Sequence, residues 1–91
     1  MVSRSMGIPL TLYVRQGCHL CQDMEQQIRD LLEPGSYRLT LVDIDADKAL
    51  KSQYNDWVPV LNHANQEICH HFLDLKALQV AQAGYNSGID C

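Results

Sequence analysis

Apolar positions along the chain fall into runs of two different periods, and the period changes at proline, glycine or clusters of polar residues. Leu10-Thr11-Leu12-Tyr13-Val14 is a β-rich run between Pro9 and Gly17, which predicts a short buried strand. From His19 onward, Leu20, Met24, Ile28, Leu31 and Leu32 recur at helical spacing until Pro34-Gly35, predicting an amphipathic helix. Leu39 to Ile44 predicts a second strand, after which Asp45 is placed to cap a shorter helix carrying Ala46, Ala49, Leu50 and Tyr54. Val58 to Leu61 and Ile68 to Phe72 are extended runs around the turn-prone Ala64-Asn65-Gln66, and they read as a hairpin. Pro59 fits the first residue of a strand or an edge, since it has no N–H to give to a ladder. Asp74 is placed to cap a last helix through Leu75, Leu78 and Ala81, with Gly84 to end it and 85–91 as a loosely held tail.

The predicted order is therefore β-α-β-α-β-β-α. Strands separated by a helix pair in parallel through a right-handed crossover, whereas the final hairpin is antiparallel. The fold class is α/β, a mixed four-stranded sheet with helices on both faces. Ninety-one residues suit a single domain spanning the chain, its core at 8–84.

Composition narrows the function classes. A formal charge of -4 leaves no basic face for a polyanion, so nucleic acid is not an expected partner. The opening MVSRSMGIPL has no apolar signal stretch, and no run approaches the roughly 20 apolar residues of a membrane span. The expectation is a cytoplasmic protein with no membrane partner. Four cysteines in such a reducing compartment point to catalysis or metal binding rather than structural disulfides.

The chemistry concentrates in Arg15-Gln16-Gly17-Cys18-His19-Leu20-Cys21, where the first strand gives way to the first helix. A C-x-x-C pair in that position sets the first sulfur beside unpaired backbone N–H groups and the positive end of the helix dipole. Cys18 is the thiolate candidate, because such settings lower a cysteine pKa from about 8.5 to between about 3.5 and 7.5. Cys21, one turn on, can attack a mixed disulfide formed at Cys18. Arg15 assists the thiolate if its side chain turns back. His19, as an imidazolium, would stabilise the thiolate and make the disulfide more oxidising, or it simply faces solvent.

The strand LTLYV, the motif CHLC, the run LVDID, the pair Val58-Pro59 and the following hairpin together resemble the thioredoxin-like fold, and more closely a small bacterial glutaredoxin-like family. The resemblance runs from Ile8 to Ala83. It implies a dithiol–disulfide oxidoreductase in which Cys18 attacks and Cys21 resolves. It also implies a cis Pro59 opposite the active site, with the backbone of Val58 pairing with substrate like an added strand. Arg15 holds the place of the basic residue that in glutaredoxins contacts a glutathione carboxylate. Asp74 matches a partner for the tripeptide's amino group, or is a plain helix cap. The implied substrates are disulfide-containing proteins or glutathione mixed disulfides, with glutathione itself a candidate partner, no cofactor, and a monomeric state. Two motifs depart from the family: Cys18-His19-Leu20-Cys21 replaces Cys-Pro-Tyr-Cys, and His70-His71-Phe72-Leu73 stands where a Gly-Gly lets backbone approach glutathione.

Two other readings stand beside this one. Cys69-His70-His71, with Cys18, His19 and Cys21, supplies soft ligands enough for zinc or copper(I). On a regular strand, however, Cys69 and His71 share one face and His70 the other, so at most two of those three converge. Alternatively the fold is a non-catalytic adaptor with Trp57 as its anchor. Cys91 is expected to do no more than link two chains in air.

Overall fold

The computed structural model describes residues 7–90, and the side chains of residues 7–85. Its elements are β1 (Ile8–Val14), α1 (His19–Leu31), β2 (Tyr37–Asp43), a 3-10 turn (Ile44–Ala46), α2 (Lys48–Tyr54), β3 (Val60–His63), β4 (Gln66–His70) and α3 (Leu75–Asp90). The order is the expected β-α-β-α-β-β-α. The sheet runs β2-β1-β3-β4, with β1 and β2 parallel and β3 antiparallel to both β1 and β4.

Alternation decides what each face buries. Ile8, Leu10 and Leu12 of β1 point to one side with Leu61 and Cys69, and there they meet Met24 and Ile28 of α1 and Leu78 of α3. Each fully buried aliphatic side chain of this kind contributes about 1.5–3 kcal/mol, which outweighs any propensity difference within these short elements. On the other side α2 covers the sheet, with Tyr54 stacked on Tyr13 at a centroid distance of 4.4 Å. Burial, reinforced by the Tyr54 hydroxyl, pushes the Tyr13 phenol up from its ordinary value.

Several boundaries differ from the sequence expectations, each for an identifiable reason. The apolar stripe of α1 does not include Leu31, which is 56% exposed; the helix ends there, and Leu32, in extended conformation, turns back onto the core at 9%. Asp47, not Asp45, caps α2, its Oδ1 accepting from the N–H of Ala49 at 2.8 Å and of Leu50 at 3.3 Å. Asp43 caps the preceding 3-10 turn through the N–H of Asp45 at 2.9 Å, which leaves the Asp45 carboxylate free for a distant partner. The hairpin turn is the two-residue Ala64-Asn65, both at positive φ (52° and 64°), as tight hairpins with the right strand twist require. Gly84 does not end α3, which continues to Asp90 in place of the expected loose tail. A mid-helix glycine costs about 1 kcal/mol relative to alanine, but Tyr85 packs against the core and sets its ring edge on His63 at 5.7 Å. Cys91 lies outside the described residues.

Register brings the chemistry to one end of the sheet. Val14 pairs with Asp43, Tyr13 with Val60, and Val60 with His70. The loop to Cys18, the Asp43–Asp47 turn, Val58-Pro59 and the segment after His70 therefore all emerge together.

Candidate active site

The loop leaving β1 turns through Gly17 at φ 73°, a left-handed conformation that a side chain would strain. This delivers Cys18 to the N-cap of α1 in extended conformation (φ -89°, ψ 106°), where its Sγ accepts from the backbone N–H of Cys21 at 3.1 Å. A sulfur thus takes the place that serine or aspartate usually fills at a helix start. Cys18 and Cys21 are joined as a disulfide with a Cα–Cα distance of 5.2 Å. The two are not equivalent: Cys21 is 3% exposed and faces the core, while Cys18 is only half-buried.

The residues around the pair are placed unequally. The His19 side chain is 86% exposed, with its Nε2 at 3.6 Å from an Asp23 carboxylate oxygen, so the structure sets it in solvent beside an acid. Arg15 is committed elsewhere: Nη1 donates to Asn55 Oδ1 at 2.8 Å, Nε to Asp45 Oδ2 at 3.4 Å, and Nη2 lies 3.3 Å from Asp45 Oδ1. Asp74 caps α3, its Oδ1 accepting from the N–H of Ala77 at 3.0 Å.

The Val58-Pro59 bond is cis, and Pro59 is fully buried. Val58 is half-exposed, and its backbone N–H and C=O have no hydrogen-bond partner among the described residues. That is an unpaired stretch of backbone at the end of the sheet that carries Cys18 and Cys21.

His71 holds this loop in a way the sequence did not disclose. β4 stops at His70, and His71 adopts φ 64°. Its backbone N–H donates to the Pro59 carbonyl at 2.9 Å, and its ring Nε2–H donates to the Asp56 carbonyl at 2.8 Å. The ring lies near parallel to Trp57 (13°, 6.1 Å), and His70 meets the same indole edge-on at 4.9 Å. The expectation that His70 and His71 point to opposite faces is thereby corrected: their rings are 5.0 Å apart, because the strand alternation ends at His70, two residues earlier than expected. Cys69 stays in the core, where burial pushes its thiol up from 9.0, a hydrogen bond from the Asp74 backbone working against this. Among the described residues no three histidine, cysteine, aspartate or glutamate side chains are grouped closely enough to hold a metal ion.

A family model described as Glutaredoxin-like domain (DUF836) matches residues 9–81. The chain belongs to this glutaredoxin-like family. It is similar to the solution structure of protein Ne2328 from Nitrosomonas europaea, at 37% identity over 84% of this chain and 92% of that one, with a TM-score of 0.74. It is also similar to a mutant thioredoxin from Halobacterium salinarum, at 25% identity over 92% of this chain and 79% of that one, TM-score 0.56. A malarial protein shares the fold at 16% identity over 81% of this chain and 91% of that one, with a TM-score of 0.55. No curated protein matches the sequence. The glutaredoxin-like fold resembles thioredoxin as the sequence implied, and no helix among the described residues is long and apolar enough to cross a membrane.

Proposed function

We propose that this glutaredoxin-like protein is a thiol–disulfide oxidoreductase in which Cys18 is the nucleophile and Cys21 the resolving thiol. The observation that carries the reading is the asymmetry of the pair: Cys18 is the more accessible and caps α1, its Sγ accepting the Cys21 N–H, while Cys21 is buried behind it. Backbone N–H groups and the dipole at a helix start stabilise a thiolate.

In the reduced protein the Cys18 thiolate attacks one sulfur of a substrate disulfide. The substrate S–S bond breaks, a mixed disulfide forms at Cys18, and the departing thiolate takes up a proton. Cys21, on losing its own proton, attacks the Cys18 sulfur, closes the Cys18–Cys21 disulfide and expels the second substrate thiolate. Two electrons have passed from the dithiol to the substrate, and an external thiol must return them. The unpaired backbone at Val58 is suited to hold the substrate backbone in extended form during attack. Disulfides within proteins and glutathione mixed disulfides both fit this chemistry. A dithiol working as a reductant needs a reducing compartment, so the reading includes a cytoplasmic location.

The test separates the two thiols. Cys18→Ser abolishes disulfide reduction, whereas Cys21→Ser accumulates a mixed disulfide visible by mass spectrometry. In the reduced wild type, Cys18 alkylation has a midpoint below the ordinary thiol value of about 8.5. Adducts forming on Cys69 in preference to Cys18 sink the mechanism.

A further inference from the structure

Beside the unpaired backbone at Val58 lies a groove that the exchange chemistry does not use. It is lined by Gln53, Tyr54 and Trp57 on the α2 side and by Glu67 and His70 of β4, and encloses about 380 Å³. Trp57 is 51% exposed, yet it is not loose. Its backbone N–H donates to the Tyr54 carbonyl at 2.8 Å, and the His70 ring meets its indole edge-on at 4.9 Å. His70 is itself fixed through its Nδ1, 2.6 Å from Glu67 Oε2. An ionised carboxylate can only accept, so Nδ1 carries the proton and Oε1 of Glu67 remains for a guest.

The lining contains the rings of Tyr54, Trp57 and His70, a half-exposed carboxylate and an amide, and no lysine or arginine. It belongs to a chain of net charge -4. Rings present their negative faces to cations, and a carboxylate adds an ion pair. We propose that this groove is a subsite for a lysine or arginine side chain of an extended polypeptide substrate, bound with its backbone along Val58. The inference rests on the redox reading for the role of that backbone, and it deepens that reading by naming the flanking chemistry of the substrate. Strand addition explains the arrangement: a segment paired with Val58 sends alternate side chains to one face, and Trp57, one residue back, walls that face. An aromatic anchor already held by neighbours also loses little entropy on binding.

A redox-silent measurement tests this. The Cys18→Ser/Cys21→Ser protein is titrated with two blocked alanine-based peptides. Each carries a central serine in place of cysteine, flanked on both sides by arginine in one peptide and by glutamate in the other. Trp57 is the only tryptophan, so its emission reports occupancy of the groove directly. The arginine peptide binds about three- to thirtyfold tighter, the range that one exposed cation–π contact and one exposed ion pair together supply. Glu67→Gln narrows that ratio, and Glu67→Lys reverses it. Equal affinities in the parent protein, or a preference that persists through both Glu67 substitutions, overturns the proposal. Exchange of unmodified protein with a neutral small disulfide is followed in parallel. Its absence counts against the redox reading, while the fluorescence titration judges the groove independently.

Discussion

The left-handed His71 invites a perturbation whose sign follows from the backbone. His71 sits at φ 64° with its ring donating to the Asp56 carbonyl at 2.8 Å. His71→Ala keeps the left-handed backbone, which costs an L-residue about 1–2 kcal/mol, and loses a ring hydrogen bond worth about 1 kcal/mol. His71→Gly loses the same hydrogen bond but relieves the backbone, against about 0.5–1 kcal/mol of added chain entropy in the unfolded state. The ring term cancels between the two variants, so glycine comes out more stable than alanine by about 0.75 kcal/mol at the centre of these ranges. Alanine falls about 1 kcal/mol below the parent, which for a domain of this size lowers the melting temperature by about 4–8 °C. Urea unfolding monitored by Trp57 emission measures all three. The kinetic consequence is separate. Both variants release the Asp56–Pro59 loop from its ring bracket, so KM for a polypeptide disulfide rises in each while kcat for a small disulfide changes little. An alanine variant as stable as the glycine variant, or more so, refutes the reasoning, because it would mean that the contacts after β4 do not enforce the backbone conformation.

Two further outcomes test individual side chains. Cys69 has its thiol pushed up from 9.0 by burial, so the folded state holds that proton more tightly than the unfolded chain does. The resulting stability is fully present below pH 9.0 and is lost as pH rises through the folded value; chemical denaturation between neutral and alkaline pH should show that loss, and Cys69→Ala should remove it. The Arg15 guanidinium is occupied by Asp45 and Asn55, so a glutathione carboxylate has to displace an internal one. Asp45→Asn raises the affinity for S-methylglutathione, measured by calorimetry, by about two- to fivefold, the worth of one exposed ion pair; an unchanged affinity removes Arg15 from glutathione recognition.

What the chain spells out by itself is whatever depends on neighbours a few residues apart. The two hydrophobic periods give the element order. Cys18 and Cys21 fall at the first turn of α1 because glycine and the start of the helical stripe stand beside them in the sequence. The resemblance carried by Val58-Pro59 and the hairpin pointed to the cis bond that the structure contains. Tertiary structure decided what spans longer gaps. Arg15 meets Asp45 across 30 residues and Asn55 across 40, and no local pattern reveals that Asp43 and Asp47 take the capping positions and leave Asp45 available. His71 reaches Asp56 across 15 residues only because β4 ends at His70, and that ending depends on its pairing with β3. Gly84 has the local character of a helix stop, yet α3 runs through it, and Tyr85 just beyond finds the core and His63. Periodicity is a property of consecutive residues, whereas a partner, a bracket or a buried anchor is settled by how the faces pack once they meet. A helix stop costing about 1 kcal/mol is overridden wherever packing returns more.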